Sequence, residues 1–344
     1  MKLQASRTLG TSQPGDVRIG PVLAIPVILT EFGVSPKRVF SQAGFDARLF
    51  ENPDNRVSLD ALGNLLETCV AFTDCPHFGL LVGERFDLKS FGPLGYLMRN
   101  CATVGDALRS LLLHLHIHDA GGAPLLLAFD PICVILGYSI YRHGTRGVDL
   151  VLDAVVAIGY RILAELCGPT WKPLRVQFSH RPPSSSTNYC RLFSADVSFE
   201  AEVSGIVFES TWLKRAIEGA DASLHDVLAM AMRDAQAHGN QSFADRVELV
   251  MPQLLLTGMG SAEAVARLFA VHERTLRRRL AAEGKSLQQI INQTRLALAQ
   301  HLLANTALSV SEIAFALRYD DPNVFSRAFR NWAKASPTQW RARQ

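Results

Sequence analysis

The sequence holds no Cys-x-x-Cys pair. Its six cysteines (Cys69, Cys75, Cys101, Cys133, Cys167 and Cys190) are scattered. That excludes a zinc spacing and a disulfide framework and suits small core residues in a reducing cytoplasm. There is also no uncharged apolar run of the roughly 18 residues needed to cross a bilayer. The nearest, residues 124–141, is broken by Asp130-Pro131 and reads as a hairpin. Arg7 is followed by no signal-type apolar core before Gln13-Pro14-Gly15-Asp16, so neither export nor a membrane is expected. Nucleotide-binding glycine loops, Gly-x-Ser-x-Gly and His-Glu-x-x-His are missing too. An enzyme is therefore not expected, and no cofactor and no metal is implied.

What is present is a large apolar fraction, 48% of 344 residues, enough for real cores and long enough for two domains. The net charge is only +3, but it is unevenly placed. From Phe243 onward there are 14 Lys/Arg against 8 Asp/Glu, while residues 1–242 are mildly acidic. A basic C-terminal part on such a body suggests an anionic partner for that part alone.

Residues 1–16 show no periodicity and are expected to form a loose tail. Residues 17–216 read as one α+β body with a helical front. Helices are expected over 19–32, from Ser35-Pro36 onward, over 58–72, 76–84 and 103–116. Ser58 is a plausible cap there, and Leu59, Leu62, Leu65, Leu66 and Cys69 make a stripe. The period then changes. Residues 124–129 and 132–141 are strand-like, 148–167 is a long helix ended by Gly168-Pro169, and 174–178 and 205–209 are strands. A short helix carrying Tyr189 and Phe193 lies between those last two strands, and a helical turn over 211–215 follows them. One antiparallel or mixed sheet is implied. Residues 217–242 read as a linker that carries a helix over roughly 222–236, bounded by Gly219 and by His238-Gly239-Asn240.

Residues 243–344 read as an all-α domain with two helix-turn-helix units. After a helix over 243–256, Ser261 can cap a helix over 262–269. In the segment that follows, Arg274, Arg277 and Arg278 fall within about 100° of arc, with Leu276 and Leu280 opposite. Ser309 and Glu312 form a capping box for a helix over 310–317. Asp320 or Asp321 caps the next helix, where Pro322 suits the first turn. There Asn323, Ser326, Arg327 and Arg330 share one face, and Phe325 and Phe329 the other. A long helix over 286–304, with Leu287, Ile290, Ile291, Leu298 and Leu302 along one line, joins the units. Arginine suits guanine and phosphate, asparagine suits adenine, and serine suits either phosphate or a base edge. One arginine-rich helix is ordinarily a solvated face. Two such helices, each behind a scaffold helix, favour DNA reading, in successive major grooves if they project about 34 Å apart.

Several stretches carry a resemblance: 274–280 (Arg-Thr-Leu-Arg-Arg-Arg-Leu), Glu312-Ile313-Ala314, 325–330 (Phe-Ser-Arg-Ala-Phe-Arg), and Ser336-Pro337 before Trp340-Arg341. With them, residues 261–343 resemble the DNA-binding domain of AraC/XylS-family bacterial regulators. The run Phe91-Gly92-Pro93-Leu94-Gly95-Tyr96, followed by the helix over 103–115, resembles the arabinose-binding-like regulatory domain of the subgroup with ornithine-utilisation regulators. That name does not establish arabinose as a ligand. The resemblance implies base contacts from Arg274, Arg277 and Arg278 and from Asn323, Ser326 and Arg327, with Thr275 and Arg330 completing the set. It implies a sequence-specific transcription activator, with double-stranded promoter DNA, RNA polymerase and a small-molecule effector as partners. A homodimer formed by the body and a place on the bacterial nucleoid in the cytoplasm follow from the same reading. The alternatives are a nonspecific architectural nucleic-acid-binding protein and an enzyme domain fused to a DNA-binding module.

The chain departs from the family pattern at four positions. Ala270 and Arg318 stand where the turns usually hold glycine, at about 1 kcal/mol if the backbone is left-handed. His272 replaces a serine cap, and Lys334 stands where glycine is common. Candidate effector residues are Tyr96, Tyr138, Arg142 and His143, a set suited to a carboxylate. Ordinary sheet-edge residues are the competing reading. His114, His116 and His118 would share a metal-binding face only as a strand. At a helix end, favourable charge at the C-terminus is expected instead.

Overall fold

The structure, a computed structural model, describes residues 16–115, 122–128, 132–140, 146–201, 203–237, 242–256, 260–269, 271–306 and 308–342. Strand β1 (Asp16–Arg18) pairs antiparallel with β2 (Arg56–Ser58), so residue 16 belongs to a strand and not to the tail. Arg18 anchors this ribbon through Asp54 and the Ser90 carbonyl. The single helix expected over 19–32 is instead a 3-10 turn (Gly20–Val22) and α1 (Ile25–Glu31). Pro21 and Pro26 each sit in a first turn, where proline starts a helix rather than continuing one.

Helix α2 (Pro36–Ala43) ends on Gly44 at φ 64°. Helix α3 (Leu59–Thr73) is capped by Ser58, whose hydroxyl accepts from the Ala61 amide at 3.1 Å, and buries the expected leucine stripe. Helix α4 (Phe78–Glu84) follows at 110° to α3. No single helix among the described residues is long and apolar enough to cross a membrane. Helices α5 (Pro93–Arg99) and α6 (Val104–His114) complete the front half, the second capped by Thr103 on the Asp106 amide.

The sheet has five strands in the order β3-β4-β7-β5-β6. They are β3 (Gly122–Ala128), β4 (Cys133–Ile140), β5 (Arg175–Gln177), β6 (Asp196–Ser198) and β7 (Ser204–Glu209). All neighbours are antiparallel except β5 and β6, so the sheet is mixed. The turn expected at Asp130-Pro131 lies outside the described residues. Helix α7 (Val148–Cys167) covers the inner face, and α8 (Thr187–Phe193) packs Tyr189 and Phe193 beside it. Helix α4 lies tightly on α7: a Cβ at Gly83 would come within 2.4 Å of the Ala154 carbonyl oxygen.

Side chains alternate across the sheet, as strand geometry requires. Leu126, Leu136, Tyr138, Ile206 and Phe208 face the N-terminal core, whereas Leu125 and Val203 join a second core. Helix α9 (Ala222–Ala237) is the helix expected within 217–242. It lays Leu228, Ala229 and Met232 on the N-terminal core, and its entry is fixed by the Asp221 amide donating to Asn100 Oδ1 at 3.0 Å.

The second core belongs to α10 (Phe243–Leu256), α11 (Ala262–Leu268), α12 (Glu273–Ala282), α13 (Leu287–Asn305), α14 (Val310–Ala316), α15 (Pro322–Ala333) and α16 (Pro337–Arg341). Helices α13, α14 and α16 each begin with a full capping box, Ser286 with Gln289, Ser309 with Glu312, and Ser336 with Gln339. A cap of this kind contributes about 1 kcal/mol. Helix α10 packs on β3 and α6, which sets the helical domain on the outer face of the sheet.

Candidate nucleic-acid interface and sensory cavity

Helix α12 has no side-chain cap, because His272 makes no hydrogen bond to its first turn. Its core side is Leu276 and Leu280, both fully buried. Arg274, Arg277 and Arg278 are exposed on the other side, with Thr275 half-buried beside them. Arg277 is steadied by Glu273 one turn earlier, Nη2 to Oε2 at 3.2 Å. Arg279, the third arginine of the run, turns away. Its guanidinium lies 5.3 Å from the centre of the Phe243 ring on α10, a cation–π contact that serves the scaffold.

Helix α15 is capped by Asp321, which accepts from the Asn323 amide at 2.8 Å, with Pro322 in the first turn. Phe325 and Phe329 are fully buried, 5.9 Å apart. Asn323, Arg327 and Arg330 are exposed and Ser326 is half-buried. The turn before α15 passes through Arg318 at φ 61°, the left-handed region expected for a glycine there. Tyr319 then stacks edge-on against Phe325, and the Arg295 guanidinium from α13 covers it at 4.8 Å. Ala270, its counterpart before α12, lies outside the described residues.

Two framework contacts were not legible in the sequence. The Glu283 carboxylate accepts from the amides of Ala244 (2.7 Å) and Phe243 (3.0 Å), closing the open end of α10 with the end of α12. Those bonds hold its carboxyl below the ordinary value. Arg341 donates to the carbonyls of Leu303 (3.0 Å) and Leu308 (2.5 Å), fastening α16 to the end of α13.

The body contains an apolar cavity of about 100 Å³ between α7 and the inner face of the sheet. Leu62, Leu111, Leu136, Val155 and Ile206 are among its walls, and Tyr138 is the one candidate effector residue that lines it. Tyr96 does not reach it: it is 49% exposed on α5, where the front helices turn it outward. Arg142 and His143 lie outside the described residues, as do His116 and His118. His114 is half-buried, its Nδ1 2.8 Å from the Ser110 carbonyl oxygen. Burial holds its imidazole below the ordinary value, which works against the charge expected at that helix end.

A buried polar group sits on the other side of α7. Asp153 accepts from His180 Nε2 at 3.0 Å and from the Tyr189 hydroxyl at 2.8 Å. His180 Nδ1 is 2.9 Å from the Arg181 carbonyl oxygen. Both ring nitrogens thus face acceptors, the arrangement of an imidazolium. Burial opposes that charge, but the hydrogen bond to Asp153 and its carboxylate charge outweigh it and raise His180 above its ordinary value.

A family model of the arabinose-binding domain of AraC transcription regulators matches residues 33–217, more than half of the chain. The chain belongs to the AraC family of transcription regulators. A helix-turn-helix model matches residues 265–343 of this AraC-family protein, so α12 and α15 fall within a DNA-binding domain. The transcriptional regulator VirS of Mycobacterium tuberculosis is 27% identical over 319 residues, covering 92% of this chain and 93% of its own. An ornithine utilization regulator of Pseudomonas aeruginosa is 26% identical over 320 residues, covering 91% and 93%. The crystal structure of the P. aeruginosa regulator CdpR superposes with a TM-score of 0.48 at 21% identity, over 93% of this chain and 96% of that one. This AraC-family chain is accordingly a DNA-binding transcription regulator.

Proposed function

We propose that the protein is a sequence-specific activator that reads promoter DNA with two helix-turn-helix units, α11–α12 and α14–α15, joined by α13. Base and phosphate contacts come from Arg274, Thr275, Arg277 and Arg278 on the first reading helix and from Asn323, Ser326, Arg327 and Arg330 on the second. The observation that carries this reading is the two-sidedness of both helices. Leu276, Leu280, Phe325 and Phe329 are sealed inward, while an exposed polar and mainly basic face stands opposite. Such a face meets phosphate for affinity and base edges for choice.

In the same reading the body is a sensor rather than an enzyme. The cavity between α7 and the sheet seats a small-molecule effector, and the sheet passes its presence to α10. A homodimer through the body and contact with RNA polymerase in the cytoplasm complete the scheme. Activation rests on the family likeness.

Genome-wide mapping of bound sites, followed by affinity measurements on the recovered sequences, tests the proposal. A short shared motif bound far more tightly than scrambled DNA at physiological salt is expected. Equal affinity for all sequences, with only a steep salt dependence, would point to a nonspecific architectural protein.

A further inference from the structure

The walls of the cavity restrict what can occupy it. Among the described residues that line it there is no charged side chain and no amide, and the only side-chain hydroxyl is that of Tyr138. That hydroxyl is packed against Gly122: a Cβ there would stand 2.5 Å from it. The walls come from secondary structure, β1, the 3-10 turns over Gly20–Val22 and Leu88–Phe91, α3, α6, α7, β3, β4 and β7, whose backbone donors and acceptors are largely committed to their own turns, helices and ladders. A sugar would bring several hydroxyls with one partner between them. An amino acid would bring two charges with none. Burying either without partners is unfavourable. An apolar cavity of this size stays dry and accepts apolar guests; an engineered cavity of about 150 Å³ takes up benzene.

We propose that the cavity binds an apolar effector the size of a single ring or a short alkyl chain, carrying at most one hydroxyl or carbonyl group. This rests on the reading of the cavity as the effector's seat. Its ligand class thereby differs from the sugar in the domain's name.

Gly159 supplies a way to close the site. A Cβ there would meet Ile206 Cδ1 at 3.3 Å and Leu136 Cδ2 at 3.7 Å, both on cavity walls. A leucine at this point of α7 grows into the empty space. The test uses the full-length protein with toluene as the apolar probe and L-arabinose and L-ornithine as polar ones. Thermal shift and methyl NMR are the readouts. Toluene is expected to raise the melting temperature and to move the methyl signals of Leu136 and Ile206, and the two polar probes to do neither. Gly159→Leu should weaken toluene binding by about tenfold or more, and Tyr138→Phe should leave it within about threefold. The wild-type methyl shifts decide the matter even if Gly159→Leu does not fold. Arabinose or ornithine moving those same methyls would overturn the ligand class and leave the cavity as the seat. No movement with toluene would overturn the site. Toluene bound there without any change in promoter affinity would uphold the site's chemistry and overturn the effector reading beneath it.

Discussion

Leu125 and Leu126 are consecutive on β3 and belong to different cores. Leu126 packs with the N-terminal body, and Leu125, 2% exposed, packs with the helical domain. Between them passes one sheet, whose inner face walls the cavity and whose outer face receives α10. Glycine permits this: a Cβ at Gly137, directly across from Leu125, would stand 2.9 Å from Val203 Cγ1, the residue just before β7 that also joins the second core. Leu125→Ala therefore removes a docking contact while sparing the body's own core. A buried Leu→Ala change costs about 2–5 kcal/mol. Calorimetry is expected to show the unfolding transition split in two, with DNA affinity retained but no longer responsive to cavity ligands. One transition with an intact response would refute the route.

The arginine run on α12 divides by direction. Arg278 is exposed on the outer face, whereas Arg279 lies over Phe243. Arg278→Ala is expected to weaken binding to the preferred site by about 1–3 kcal/mol and to relax base choice at one position. Arg279→Ala should instead lower domain stability by about 0.5–1 kcal/mol with base preference kept. Fluorescence anisotropy on a set of single-base operator variants, paired with urea unfolding, separates the two. Matching base-preference profiles for the two variants would show that the division is wrong.

That division also marks how far the sequence could be read. Helices α12 and α15 were legible because their signals are local: Asp321 and Pro322 start α15, and Phe325 and Phe329 fall one turn apart. The long β3–β4 pair and the α7 helix announced themselves by period and length. Strand β6 did not, because one exposed and two half-buried residues carry no alternation. The target of Arg279 and the amides capped by Glu283 lie on α10, far along the chain, where no local pattern points. The cavity was illegible for the same reason. Its walls are ordinary leucines, valines and isoleucines from separate elements, and only their assembly leaves a space. Tyr96 was singled out by chemistry alone, and chemistry does not say which way a helix face points.

Two αL positions in the helical domain are filled by opposite kinds of residue. Lys334 ends α15 at φ 58°, and Gly284 follows α12 at φ 72° with no atom within 4 Å of where a Cβ would stand. A side chain in this region costs about 1 kcal/mol relative to glycine. Lys334→Gly is expected to stabilise the domain by about that amount, and Gly284→Ala to destabilise it equally. Urea midpoints at unchanged slope measure both. A loss of stability in Lys334→Gly would show that its side chain, which donates to the Asn331 carbonyl at 2.9 Å, outweighs the backbone strain.

The buried Asp153–His180 pair gives the body a pH dependence of defined sign. His180 is raised above its ordinary value, so the folded state holds its proton more tightly than the unfolded chain does. That stabilisation is fully present below the unfolded value of about 6.5 and is lost as pH rises through the folded one. His77 and His114, both lowered chiefly by burial, act in the opposite direction and weaken the fold as pH falls through about 6.5. The net curve of the whole protein mixes these terms, but the difference between wild type and His180→Gln isolates the pair. Removing one member of a buried ion pair costs about 3–5 kcal/mol. The loss from His180→Gln is expected to be larger at about pH 5.5 than at about pH 8.5, on either side of the ordinary imidazole value. Chemical denaturation at the two pH values measures it, and an NMR titration of the His180 ring gives the proton directly. An equal loss at both, or a greater one at high pH, would mean that His180 is neutral and that Asp153 holds it by hydrogen bonding alone.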